Sequence, residues 1–193
     1  MPKCQCKDLV GDTDFIEWQE AEKQFKVSPR GLNIVWGNSP QYWKLFKSMN
    51  GSEVAELIRV CWLEVVGAIE NVCPGRKYQV GFRVALKPNA RGWQDCTALV
   101  VAKVGESGKM IPTGLDLSQY YGKGFVDIPA EPLVVEVPEH ASPSETKISF
   151  GLYEIRQGNW KSGLQIHYAF VREIGSIEQL HVGTARLPRP LPD

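Results

Sequence analysis

No stretch of this 193-residue chain approaches the roughly 20 consecutive apolar residues that a membrane-crossing helix needs. The N-terminal run MPKCQCKDLVGDTDF is broken by charge and holds no apolar core of the kind a secretory signal requires, so a cytoplasmic protein is expected. An excess of either charge is also missing: 22 basic residues meet 22 acidic ones, for a formal net charge of zero. That balance disfavours a general nucleic-acid binder, which carries a basic excess or stripe, and a polybasic protein of the membrane surface. A neutral chain repels its own copies little, which makes self-association easy. Histidine is scarce and scattered, at positions 140, 167 and 181, and the Cys4-x-Cys6 pair has no second Cys or His pair at ligand spacing. No metal site and no cofactor are therefore expected. The sequence also lacks a G-x-S-x-G elbow, a G-x-x-x-x-G-K-[ST] phosphate loop and a G-x-G-x-x-G fingerprint. Cys61, Cys73 or Cys96 with His167 would be the residues of a thiol enzyme, but nothing local supports that chemistry.

Cysteines are few and odd in number, five in all. Cys61 sits in an apolar run and reads as a buried thiol. Cys73 and Cys96 lie near loops, and Cys4 and Cys6 share a polar terminus where an unpaired thiol can link chains. Asn50-Gly51-Ser52 matches a glycosylation acceptor, but Asn-Gly is a strong turn dipeptide and a turn is the expectation without a signal.

What the sequence does have is short alternating runs separated by Gly, Pro and Asn. Tyr78, Val80, Phe82, Val84 and Leu86 fall on one face of a strand. Further strands are expected at 32–36, 42–46, 60–69, 97–104 and 133–137, and a pair at 148–155 and 164–171 joined as a long hairpin. Two segments read as helical. Phe15, Trp18, Ala21 and Phe25 lie about a turn apart, behind Asp12 or Thr13 as cap, and Glu53–Arg59 is short and helix-compatible. The expected fold is all-β, an antiparallel, jelly-roll-like β-sandwich with a short N-terminal helical arm. The expected organisation is an arm at 1–30, the sandwich at 31–175 and a Pro-rich, extended tail at 176–193.

The informative chemistry is where the aromatics stand. Trp36 and Trp43 flank the polar turn Gly37-Asn38-Ser39-Pro40-Gln41-Tyr42, Trp160 sits beside Lys161 in a connection, and Trp93 follows another loop. Indoles at loop ends are either core lids with a wet polar tip or platforms for the apolar face of a sugar, with polar side chains bonding its hydroxyl rim. Trp62, inside an apolar run, reads as core, and Trp18 as a docking residue of the arm. Glu64 and Glu154 stand on expected strands, either facing solvent or paired across a cleft as in a glycosidase.

Three blocks carry a resemblance. Leu32-Asn33-Ile34-Val35-Trp36-Gly37-Asn38-Ser39-Pro40-Gln41-Tyr42-Trp43, then Ala55-Glu56-Leu57-Ile58-Arg59-Val60-Cys61-Trp62-Leu63-Glu64-Val65, then Phe150 to Ile155 with Gly158 to Ile166, resemble in order and spacing the phloem protein 2 lectins, relatives of the tobacco agglutinin. The resemblance covers about residues 30–172. It implies a non-enzymatic, often dimeric β-sandwich lectin of cytoplasm or phloem sap, of use in plant defence. Its ligands would be N-acetylglucosamine oligomers of chitin fragments, N-glycan cores and glycoproteins. The family's candidate sugar contacts map onto Trp36, Trp43 and Glu154, to which the loop chemistry adds Asn38, Tyr42, Trp160 and Lys161. Cys4 and Cys6 are the candidates for inter-chain disulfides to other phloem proteins. The alternative is a non-glycan interaction protein of the sap, a structural plug or a binder of protein or RNA, since aromatic rings stack bases as well as sugars.

Overall fold

The computed structural model describes residues 13–174. Cys4, Cys6 and the Pro-rich tail lie outside them. Among the described residues there are twelve strands: β1 Ile16–Gln19, β2 Gln24–Val27, β3 Asn33–Ile34, β4 Trp43–Lys47, β5 Glu53–Leu57, β6 Leu63–Ile69, β7 Lys77–Arg91, β8 Thr97–Val104, β9 Ile111–Asp116, β10 Val126–Glu136, β11 Ile148–Glu154 and β12 Ser162–Ile174. They form two antiparallel sheets. The smaller has the order β3-β6-β11-β8-β9. In the larger, β12 is the spine. One edge of it pairs with β7, which pairs in turn with β10; the other edge is shared by β5, with β4 beyond it, and by β2, with β1 beyond it.

The period of two explains the core. In β7 the side chains of Tyr78, Val80, Phe82, Val84 and Leu86 are all buried, as are Leu63, Val65 and Ile69 of β6 and Ile148, Phe150 and Leu152 of β11. These rows face each other between the sheets, where the Phe82 and Phe150 rings meet edge-on at 5.9 Å and 72°. The Tyr78 hydroxyl, at the bottom of this core, accepts the Cys73 N–H at 2.9 Å. Close packing on the other face of β7 demands Gly81, because a Cβ there would sit 2.6 Å from the Phe170 ring.

Three expectations are corrected. The N-terminal arm is a hairpin rather than a helix: β1 pairs with β2, and β2 adds to β12. Phe25 and Val27 are fully buried on that sheet, and Trp18 packs across the hairpin on Phe25 at 4.7 Å. The aromatic spacing fitted a helical face, but Phe25-Lys26-Val27 also alternates, and pairing with an open edge of β12 buries more than a solvent-borne helix would. Glu53–Leu57 is likewise strand β5, inserted between β4 and β12. Finally, β11 and β12 are not a hairpin. β11 pairs with β6 and β8, β12 with β2, β5 and β7, so the connection 155–161 carries the chain from one sheet to the other.

A bulge in β12 between Ile166 and Tyr168 leaves His167 out of register. Its ring lies between Phe125 and Tyr168, with both ring nitrogens buried and unpartnered among the described residues. Burial first, then the charges of Lys26 and Arg83, pull its pKa below the ordinary 6.5. A base whose folded pKa is lowered makes stability fall as pH drops below the unfolded value, because the unfolded chain takes up the proton more readily. Urea unfolding is therefore expected to show a loss of stability beginning below about 6.5, and His167→Gln is expected to remove that loss. An unchanged pH profile in the variant would contradict the assignment.

Candidate ligand-binding site

One end of the sandwich gathers three segments, 35–42, 58–62 and 155–161. Backbone bonds tie them together. Tyr42 O accepts the N–H of Ile58 at 2.8 Å, Val35 donates to Glu64 O at 3.0 Å, and Val60 and Lys161 exchange N–H···O bonds of 3.0 and 2.6 Å.

Beneath them lies a buried ion pair. Glu154 ends β11 and Lys161 precedes β12; the two are 2% and 0% exposed and their charged groups are in direct contact. Glu154 Oε1 also accepts the backbone N–H groups of Arg156 and Gln157, each at 3.2 Å. Lys161 Nζ donates to Asn159 O at 2.8 Å and reaches Cys61 O at 3.5 Å. A buried pair survives only when further hydrogen bonds compensate its lost hydration, and here they come from the backbone of the crossing connection. The pair thus fixes the path of 155–161 and joins it to 60–61. Burial alone would raise the Glu154 carboxyl; the hydrogen bonds of Lys161 and the Gln157 and Arg156 amides, with the Lys161 charge, outweigh it and hold the group below its ordinary 4.5. A carboxyl lowered by folding contributes stability that is complete above the unfolded value and is lost as pH falls through the folded one. A second acid step is therefore expected below 4.5, and Glu154→Gln is expected to flatten it in the same urea series.

These facts revise the roles of three candidates. Glu154 and Lys161 offer no surface to a ligand, and Trp43 is 3% exposed inside the core. They support the site from below. Trp93 is also core, its Nε1 donating to Ser162 O at 2.9 Å. Cys96 is buried beside the pair. Desolvation, then the Glu154 charge, push its thiol up to about 11, so it stays protonated at neutral pH. Cys61 is a half-buried free thiol, not a fully buried one, and Cys73 is disulfide-bonded.

The other candidates do reach the surface. Trp36 is 46% exposed and its ring lies 5.2 Å from that of Tyr42, tilted by 38°. Trp36 also holds φ at 59°, in the left-handed region. For a bulky side chain that conformation is rare and costs about 1–3 kcal/mol. Tight turns enforce it: Gly37 donates to Ile34 O at 2.8 Å, and Ser39 to Trp36 O at 2.9 Å. Gly37 is required, because a Cβ there would stand 2.9 Å from Ile34. The strain aims the indole outward beside exposed Asn38. Trp160 is 58% exposed, with the Arg59 guanidinium 5.7 Å from its ring centre. Trp62, expected in the core, is 42% exposed, because β6 starts only at Leu63 and the alternation places Trp62 on the outer side with Glu64. Its Nε1 donates to Glu64 Oε2 at 2.8 Å. Trp62 and Arg59 are the residues that sequence reasoning missed. The readable signal was the Trp-x-Glu spacing at a strand start.

Trp36 with Tyr42, Trp62, and Trp160 with Arg59 thus stand on three segments that backbone bonds join at one end of the sandwich, with exposed Asn38 beside Trp36. No cluster of three or more metal-binding side chains occurs among the described residues.

The sequence model of phloem protein 2 matches residues 22–173, which include all three of these segments. The chain belongs to the phloem protein 2 family. It is 39% identical over 168 residues to the Arabidopsis thaliana protein phloem protein 2-like A9, a match covering 82% of this chain and 92% of the relative. It is 30% identical to phloem protein 2-like A1 of the same plant over 77% of this chain and 61% of that protein. A lectin of Luffa acutangula is 41% identical over 75 residues, 36% of each chain. The phloem protein 2 match begins at residue 22, inside the N-terminal hairpin, so family and fold both take strand β2 into the sandwich.

Proposed function

We propose that this phloem protein 2 chain is a non-catalytic lectin for N-acetylglucosamine oligomers, and that the sugar lies on the loop-end surface of Trp36, Tyr42, Trp62 and Trp160. The observation that carries this reading is Trp36, a large apolar ring held outward in a strained backbone against a second aromatic. Such rings suit the C–H face of a sugar, and Asn38 and Arg59 supply partners for hydroxyl and amide groups. Exposed Ile58 beside Arg59 suits the methyl of an acetamido group. The Luffa relative bears the name lectin, which supports the class of ligand. Single sugar sites of this open shape bind weakly, so a homodimer would act through effective concentration.

The test uses the protein's own indoles. Chitotriose is expected to produce a saturable change in tryptophan emission, and Trp160→Ala is expected to weaken that binding by roughly tenfold, equivalent to about 1.4 kcal/mol. Emission unaltered by the sugar would count against the loop-end site.

A further inference from the structure

The outer face of the five-stranded sheet carries a groove that Trp36, Tyr42, Trp62 and Trp160 do not line. In β11 the residues that alternate with Ile148, Phe150, Leu152 and Glu154 are Ser149, Gly151 and Tyr153; Ser149 and Tyr153 are half-buried on the outer face, and Gly151 between them is covered. Gly151 is opposed by Val66 of β6 on one side and Val101 of β8 on the other. The Tyr153 ring folds back over Gly151. A Cβ at position 151 would run into that ring, standing 2.9 Å from Cζ and from Oη. Glycine therefore lets an aromatic ring lie down along the sheet, between two valines, instead of standing up from it. Two hollows of about 500 and 360 Å³ meet here and share Val101, Met110 and Tyr153. The larger is bordered by Asn33, Glu64, Lys103 and Lys147, the smaller by Leu99, Ile155 and Arg156.

The groove runs into the loop-end surface at two places. Glu64 lines the larger hollow and holds the Trp62 indole. Ile155 and Arg156 line the smaller one and open the connection that carries Trp160.

We infer that this groove continues the sugar site, so that the protein reads a long oligosaccharide, with the chain beyond the first residues lying across the strands over Tyr153. The inference rests on the lectin reading of the loop end. Its chemistry is separate: an apolar floor for C–H faces and a rim with neutral Asn33 and Ser149, whose charges are largely engaged already, Lys147 with Glu70, Lys103 with the Glu106 carbonyl and Glu64 with the Trp62 indole, which suits an uncharged chain of hydroxyls. At strand spacings of about 4.8 Å, five strands span roughly 19 Å, room for several sugar rings in line.

Calorimetric titration of the full chain with chitotriose and chitohexaose tests this, read as the ratio of the two affinities. The wild-type protein is expected to prefer the hexamer by roughly tenfold or more. Tyr153→Phe is expected to keep that preference, because the ring remains, and Tyr153→Ala to cut it to about threefold or less. A preference undiminished in a folded Tyr153→Ala protein would overturn the groove. Hexamer binding that depends on Tyr153 while the trimer fails to bind would keep the groove and reject the loop-end site. Binding of neither sugar would reject both.

Discussion

Replacing Lys161 with methionine is expected to destabilise the protein by about 3–5 kcal/mol, the range for stranding one partner of a buried ion pair. The reason is local. Methionine fills much the same space, so little packing is lost, but Glu154 keeps its charge, 2% exposed, at the end of β11. The Asn159 and Cys61 carbonyls lose their donor at the same time. The cost has a diagnostic pH dependence. Without Lys161, desolvation is opposed only by the Arg156 and Gln157 amides, so the Glu154 carboxyl is raised relative to the wild-type protein. The penalty is then greatest at neutral pH and shrinks as acid neutralises Glu154. The double variant Lys161→Met with Glu154→Leu is expected to recover a large part of the loss, since an apolar pair replaces an ionic one. Denaturant midpoints at pH 7 and pH 4 measure both effects, and a Lys161→Met protein as stable as the wild type at pH 7 would remove the ion pair from its supporting role.

Trp36→Gly is expected to weaken chitotriose binding by roughly 30-fold, about 2 kcal/mol, without reducing stability. The two halves of that expectation arise from different features. The indole is half exposed and stands against Tyr42, so its removal takes away a stacking face while leaving the core intact. The backbone at position 36 holds φ at 59°, where glycine is at ease and tryptophan is not. Relief of that strain offsets the removal of the indole from the Tyr42 ring. A residue whose removal leaves the fold as stable and the binding much poorer is one kept for its ligand. If Trp36→Gly lowered stability and left chitotriose binding untouched, the indole would be a packing residue.

The all-β class was legible because β7, β8 and the core row of β11 alternate cleanly, and a period of two has one physical reading when one face is buried. The pairing was not. A connection holding Gly158-Asn159, with Ser162-Gly163 just after it, looks like a hairpin loop, and only the Glu154–Lys161 ion pair and the contacts of Lys161 with Val60 and Cys61, about 100 positions away, direct it between sheets. The N-terminal hairpin was hidden for a similar reason: the edge of β12 that receives it is some 145 residues distant. At the site, Trp36, Asn38, Tyr42 and Trp160 stood out by their loop setting and do reach the surface. Glu154 comes from the family resemblance and Lys161 from its place beside Trp160. Yet the alternation Ile148, Phe150, Leu152, Glu154 already placed the carboxylate on the inward face. Followed one step further, that row points to a buried Glu154 in need of a cation.

Calorimetric titration with chitotriose, with cellotriose as the control that lacks acetamido groups, tests the central claim most directly. Saturable heat from chitotriose and none from cellotriose is the predicted result, and it would place an acetamido-reading surface on this sandwich. No heat from either sugar, in a protein that is folded, would contradict the lectin reading and turn attention to a protein or RNA ligand for the same aromatic end.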